Sequence, residues 1–332
     1  MGRSKKLKHI HSIFKDKAKI IKAKFSITNH TTSAIQIAVL RSTTRSARSP
    51  PPDHLISALV SFSNTTRHSA LACISTIINR LHHHHQPNVY VALKCLITLH
   101  HMFIGGSFVL DEQVMMFQSM TTASYGFLNL SRFVDNTNMQ SREFSLWAQW
   151  YACFLETSLF TSTVLKCHVS LSKHEFVKKK ESLKSCLYID LFREIEALVS
   201  TVEEICKVPK SLHCQKNDII YEVTRLVGED YRMIQYHIMI RLTELSDRVH
   251  NLSTNESSKL IRCLERLETC KAGLSDLFSN RMRNEAFWDL VTELMVKLMK
   301  LKEGREVKSL CWKMIEYETE STQFKQLLVL AT

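Results

Sequence analysis

Residues 89–106 read VYVALKCLITLHHMFIGG, a stretch in which Lys94 is the single Lys, Arg, Asp or Glu. A helix with so little polar surface has to be enclosed on most sides, and Gly105 and Gly106 are placed to stop it. Enclosure requires several neighbours, so this segment predicts the spine of a multihelical N-terminal half. Turn formers are too scarce for the alternatives. With 7 Gly and 5 Pro in 332 residues, 45% apolar and 23% charged, the composition argues against an all-β or α/β chain. It allows one large or two ordinary domains, each mostly helical. No run reaches the roughly 18 to 20 apolar residues of a membrane span. The N-terminus is too basic and too poor in apolar residues for a secretory signal. The protein is expected on the cytosolic side.

Around the spine the pattern is helix after helix. Ile10, Ile13, Phe14, Ile21 and Phe25 fall at helical steps between lysines and predict a basic amphipathic helix. Asn29 to Thr32 breaks it. Ser33 can cap a second helix that carries Ala34, Ile35, Val39 and Leu40 and runs out near Arg48. Ser49-Pro50-Pro51-Pro52 ends any helix, because proline lacks the amide hydrogen and restrains its predecessor. Asp53 is placed to cap the next one, with Leu55, Leu59 and Phe62 on one face. Tyr125 to Asp135 and the aromatic-rich Phe144 to Leu159 read as further packing helices.

Between residues 166 and 185 the apolar pattern thins and lysines accumulate (Lys173, Lys178, Lys179, Lys180, Lys184), which marks a connecting loop or an exposed helix end. Beyond it, Leu183, Leu187, Leu191, Ile195 and Leu198 form one stripe, and Leu260, Leu264, Leu267, Leu274 and Leu277 another. Val291, Leu294, Leu298 and Leu301 continue the pattern, with Asn251 to Ser258 as a polar loop. The expected organisation is a helical solenoid over 1–165, a basic connector over 166–185 and long antiparallel helices over 186–332.

Charge is as lopsided as hydropathy. Residues 1–48 hold twelve Lys or Arg against Asp16 alone, so about +11 of the net charge of +12 sits there. A cationic head on a neutral body attracts a polyanionic surface, of which anionic lipid and nucleic acid are the natural examples. The ten cysteines are scattered, with no CxxC pair, and read as small buried apolar residues. The run His82 to His85 reads as a solvated loop before Pro87, not as a metal site.

Three blocks of residues resemble a known family. ALKCLITLHHMFIGG at 92–106 is similar to the buried helix of the ANTH domain. FLNLSRFVDN at 127–136, followed by Tyr151-Ala-Cys-Phe-Leu155, resembles its next block, and SAIQIAVLRSTT at 33–44 resembles the helix that precedes its lipid site. Order and spacing agree over roughly residues 5–300, with the closest likeness to plant-type putative clathrin assembly proteins. The resemblance implies an all-α fold, a right-handed α-solenoid (an ENTH/VHS-like superhelix) continued by a long-helix bundle. It also implies a non-enzymatic adaptor without cofactor. Such an adaptor binds phosphatidylinositol 4,5-bisphosphate membranes, clathrin and vesicle SNARE cargo, at coated pits and vesicles of the plasma membrane and at the Golgi apparatus.

The family's lipid motif is a Lys, nine residues, a second Lys, one more residue, a Lys or Arg, then a His or Tyr. Laid on this chain it gives Arg41, Pro51, Asp53 and His54. Arg41 and His54 match the family's pattern, and Pro51 and Asp53 depart from it. At about 1 kcal/mol per basic residue near an anionic surface, losing two and gaining an acid removes on the order of 3 kcal/mol, roughly a hundredfold in affinity. Arg45 and Arg48 in the same segment, with Lys5, Lys6 and Lys8 upstream, are the candidate compensators. The amphipathic head either lies in the membrane interface or covers the solenoid end.

The resemblance also implies clathrin motifs in a long tail. This sequence ends at Thr332, soon after its helical pattern, so clathrin recruitment is expected to be weak. Asp190-Leu191-Phe192 and Asp276-Leu277-Phe278 lie on leucine stripes, where packing accounts for the leucines. Nucleic-acid binding by the head is the alternative reading. It explains the charge, but the head lacks interleaved aromatics and no helix-turn-helix or zinc pattern occurs, so nucleic acid is not the expected partner. An enzyme has less support still, since no phosphate loop, nucleophile elbow or HExxH spacing is present.

Overall fold

A computed structural model of the chain describes residues 17–21, 30–46, 49–82, 87–105, 127–167, 181–210, 216–278, 285–305 and 307. Every regular element among these residues is helical, in agreement with the expected all-α class. The longer helices are α1 (His30–Ser42), α2 (Asp53–Ser63), α3 (Arg67–Leu81), α4 (Val89–Gly105), α5 (Met139–Leu165), α6 (Tyr188–Cys206), α7 (Asp218–Asp247) and α8 (Thr254–Phe278), followed by α9 over 285–305. The chain divides into two compact units. One comprises Met1–Ser172 and Ser200–Ile234, the other Lys173–Val199 and Gln235–Thr332, so the divisions fall inside α6 and α7.

In the first unit α4 is the enclosed spine that its composition demands. Its residues from Val91 through His100 are all buried, and α1, α2, α3 and α5 pack around it. α5 supplies the large aromatic share of this core through Phe144, Trp147, Tyr151 and Phe154. Glycine at 105 has a specific cause, since a Cβ there would lie 3.0 Å from the Val60 side chain of α2. That close approach lets Asn64 donate to the Gly105 carbonyl at 3.0 Å.

Polar atoms inside this core are joined to one another. His100 Nε2 lies 2.9 Å from Asp230 and its Nδ1 lies 2.7 Å from the Tyr151 hydroxyl, which links α4, α5 and α7 through buried groups. Burial, with the Asp230 and Glu222 charges nearby, pushes the Tyr151 hydroxyl far up, so it stays protonated. Burial likewise pushes the thiols of Cys73 and Cys95 up to about 12. The reading of cysteines as buried is only partly right, because Cys153 is exposed and Cys167, Cys186 and Cys206 are half-buried. Cys214 and Cys311 lie outside the described residues.

Several boundaries differ from expectation for local reasons. α1 begins at His30, ahead of Ser33, and stops at Ser42, well short of Arg48. The Thr43 amide makes the last helical bond, to the Val39 carbonyl at 3.0 Å, and the Thr43 hydroxyl bonds the same oxygen at 2.5 Å. In α2 Asp53 is the first helical residue, and Pro52 occupies the capping position without a side-chain bond. Its buried face is Ile56, Leu59 and Ser63, with Leu55 and Phe62 half-buried at the edges.

The larger miss is 127–135, expected helical and in fact irregular. Asn129 takes a left-handed φ of 41°. Side chains of α5 replace the missing helical bonds: Glu156 accepts from Leu128 N at 2.7 Å, Gln149 donates to the Phe133 carbonyl at 2.7 Å, and Ser145 accepts from Asp135 N at 2.9 Å. Asn, Ser and Asp offer the backbone local partners that compete with helix, which the apolar spacing conceals.

Asp135 closes this arrangement. Buried, it accepts from Val89 N at 2.9 Å, so it caps α4 from a distant loop, and also from Thr137 N at 3.0 Å. Asp135→Ala is therefore expected to lower the unfolding free energy by about 2 kcal/mol, because the buried Val89 amide at the start of α4 loses its acceptor and the Thr137 amide, at the surface, loses one as well. Urea denaturation followed by circular dichroism reads the loss, and a change within about 0.5 kcal/mol contradicts this account of the helix start.

In the second unit the leucine stripes pack as expected at Leu183, Leu191, Ile195, Leu198, Leu260, Leu264, Leu267 and Leu274, and at Val291, Leu294 and Leu298 of α9. Leu187 departs from its stripe. It is 68% exposed because it precedes α6, where its carbonyl accepts from Asp190 and Leu191. The polar loop expected at 251–258 is shorter, since α8 starts at Thr254 behind a reciprocal cap in which Ser253 and Glu256 bond each other's amides at 3.2 and 2.8 Å. A fully buried Arg241 binds Glu194 at 2.7 Å and donates to the His237 carbonyl at 2.8 Å.

Candidate functional site

Of the expected residues, Arg41, Arg45 and His54 lie in or beside the segment between α1 and α2, and this segment is held from two sides. Arg80, in the last turn of α3, donates from Nε to the Thr43 hydroxyl at 2.5 Å and from Nη2 to the Thr43 carbonyl at 2.8 Å. Lys94, from the middle of α4 and 1% exposed, donates from Nζ to the Thr44 hydroxyl at 3.2 Å. The turn after α1 is thus gripped by two cations on two helices. Cys95 lies beneath it, close enough that the Arg80 charge and a bond with Thr43 each pull its thiol down against the larger effect of burial.

On this held turn the sequence-expected residues separate. Arg41 is exposed in the last turn of α1, Arg45 is half-buried two residues past Thr43, and His54 is exposed as the second residue of α2. Pro51 is buried, so the position where the family motif has its second Lys anchors the loop here, and Asp53 is exposed at the start of α2. A carboxylate at a helix N-terminus sits well with the positive end of the dipole, and it competes there with any external anion. Arg48, Lys5, Lys6 and Lys8 lie outside the described residues, as do Ile10, Ile13, Phe14 and His83 to His85. Of the amphipathic head, residues 17–21 are helical, with Ile21 exposed.

Sequence reasoning did not assign Arg80 or Lys94 to the site. For Lys94 a signal existed, since a lone charge in an apolar helix needs a buried polar partner. Its partner Thr44 lies 50 residues away, beyond the reach of periodicity.

Elsewhere the candidate motifs read as structure. Leu191 of Asp190-Leu191-Phe192 is fully buried, as expected, whereas Leu277 in the last turn of α8 is only half-buried. His100 and His101 are bonded within the core and its edge, His101 reaching Glu222 at 3.4 Å. Among the described residues no group of three His, Cys, Asp or Glu side chains could hold a metal ion, and no helix is long and apolar enough to cross a membrane.

Comparison with known proteins identifies the family. The family model of the ANTH domain matches residues 34–287, which spans both the candidate segment and the packed helices that hold it. "Putative clathrin assembly protein At4g40080" of Arabidopsis thaliana is 33% identical over 301 residues, covering 89% of this chain and 81% of the relative. "Putative clathrin assembly protein At5g10410" of the same plant is 31% identical over 336 residues, covering 97% and 89%. A third, "Putative clathrin assembly protein At5g65370", is 30% identical over 300 residues, covering 87% and 98%.

Proposed function

The chain belongs to the ANTH domain family, and from that premise we propose that it is a non-enzymatic adaptor which docks on phosphoinositide-bearing membrane and supports clathrin coat assembly. The carrying observation is the turn after α1, where Arg80 binds the Thr43 carbonyl, Lys94 binds the Thr44 hydroxyl and Arg41 is left facing solvent. A turn held beforehand loses little loop entropy when its cations meet a phosphate, which favours headgroup capture without a deep pocket. The names of its plant relatives support the clathrin part of this reading. Vesicle SNARE cargo and residence at coated pits, coated vesicles and the Golgi apparatus complete it, with residues 1–165 as the membrane-binding solenoid.

Cosedimentation with phosphatidylcholine vesicles carrying phosphatidylinositol 4,5-bisphosphate tests the membrane step. Arg41→Ala with Arg45→Ala is expected to weaken binding about thirtyfold, from roughly 1 kcal/mol per cation. Lys5, Lys6 and Lys8 changed together to alanine provide the comparison. If only that second variant loses binding, the turn after α1 is not the lipid site. If the unaltered protein ignores these vesicles, the adaptor reading fails. Precipitation of purified clathrin with the immobilised chain checks the coat step.

A further inference from the structure

One hydroxyl in the candidate segment is unlike its neighbours. Ser42 and Thr43 are buried and donate to the Val39 carbonyl, and Thr44 receives Lys94. Ser57 and Ser61 are exposed, but both lie within α2. Ser49 is exposed, non-helical and directly followed by Pro50. A kinase cleft takes its target residue in an extended strand with the hydroxyl free, so a serine in a helix must first be unwound and Ser49 need not be. Pro50 fixes its own φ and disfavours helical backbone at Ser49. Buried Pro51 anchors the segment just beyond it.

We propose that Ser49 is a phosphorylation site for a proline-directed serine kinase, and that the added phosphate releases the protein from anionic membrane; the second half rests on the membrane reading above. In the step, the Ser49 Oγ attacks the γ-phosphorus of ATP. The Oγ–P bond forms as the bond from that phosphorus to the β–γ bridging oxygen breaks. ADP leaves with the electron pair, the hydroxyl proton passes to the base of the kinase, and nothing is oxidised or reduced. The product carries close to two negative charges at neutral pH. They stand in sequence between Arg45 and His54, where they repel lipid phosphate and offer Arg45 an internal partner in its place. Two charges of the wrong sign at the surface amount to a loss of about thirtyfold in vesicle affinity.

The test uses the full chain, ATP and a recombinant proline-directed serine kinase, with the modified position mapped by mass spectrometry. Binding is then measured to phosphatidylcholine vesicles with and without phosphatidylinositol 4,5-bisphosphate. Phosphate on Ser49, binding weakened about thirtyfold, and Ser49→Ala protein that keeps full binding after the same treatment are the expected results. Phosphate absent from Ser49, with tight vesicle binding by the untreated protein, overturns the switch and leaves the membrane reading standing. Phosphate on Ser49 with unchanged binding also overturns it. Untreated protein that binds neither vesicle overturns the membrane reading and the release step together.

Discussion

Replacing Asp230 by alanine is expected to cost about 2 to 3 kcal/mol of stability, because a buried hydrogen bond to a carboxylate is lost and its donor is left without a partner in the interior. Asp230 and His100 are 5% and 2% exposed, so water cannot substitute for the lost carboxylate. Asp230 Oδ2 accepts the hydrogen on His100 Nε2, and Nδ1 on the other side of the ring meets the Tyr151 hydroxyl. Alanine leaves an Nε2–H donor in the centre of a helical core. Asp230→Asn keeps an acceptor oxygen and is expected to lose less, while Tyr151→Phe removes a single neutral bond at about 1 kcal/mol. Urea unfolding followed by tryptophan emission measures all three, since Trp147 and Trp150 pack in the same unit. Equal losses for the alanine and asparagine changes refute the role given to the carboxylate.

Arg241 in the second unit leads to a larger prediction with a different test. Its guanidinium is completely buried against Glu194, so Arg241→Met leaves a carboxylate in the interior and is expected to cost about 3 to 5 kcal/mol. Changing Glu194→Leu as well removes the stranded charge. The double variant is expected to recover most of the loss, because a well-packed apolar pair of similar volume often equals a buried ion pair. The His237 carbonyl loses its donor in either case, which limits the recovery. Thermal and urea unfolding of the single and double variants decide the matter, and a double variant no more stable than the single one refutes the stranded-charge account.

How much of this was legible beforehand depends on the range of the interaction. The enclosure of α4 and the burial of Leu191, Leu264 and Leu298 follow from spacing within one helix, and all were expected. Leu187 was misassigned because periodicity continues through a helix start that only the capping geometry reveals. The irregular 127–135 segment was read as helix because its order comes from Gln149 and Glu156, residues of another element. The candidate site divides the same way. Arg41 and His54 come from laying the family's motif on the chain and Arg45 from its nearness to them in sequence, while Arg80 and Lys94 enter through contacts spanning 37 and 50 residues. Lys94 sat in plain view in an uncharged stretch, yet its purpose needs the fold.

The grip on Thr43 and Thr44 has a consequence for anyone counting lipid contacts by raising ionic strength. Mobile ions screen charges that face solvent and reach buried ones poorly. The Lys94 bond should therefore persist in concentrated salt while the attraction of Arg41 for an anionic surface fades. A plot of binding against salt will then report how many cations point outward, fewer than the total gathered at that bend.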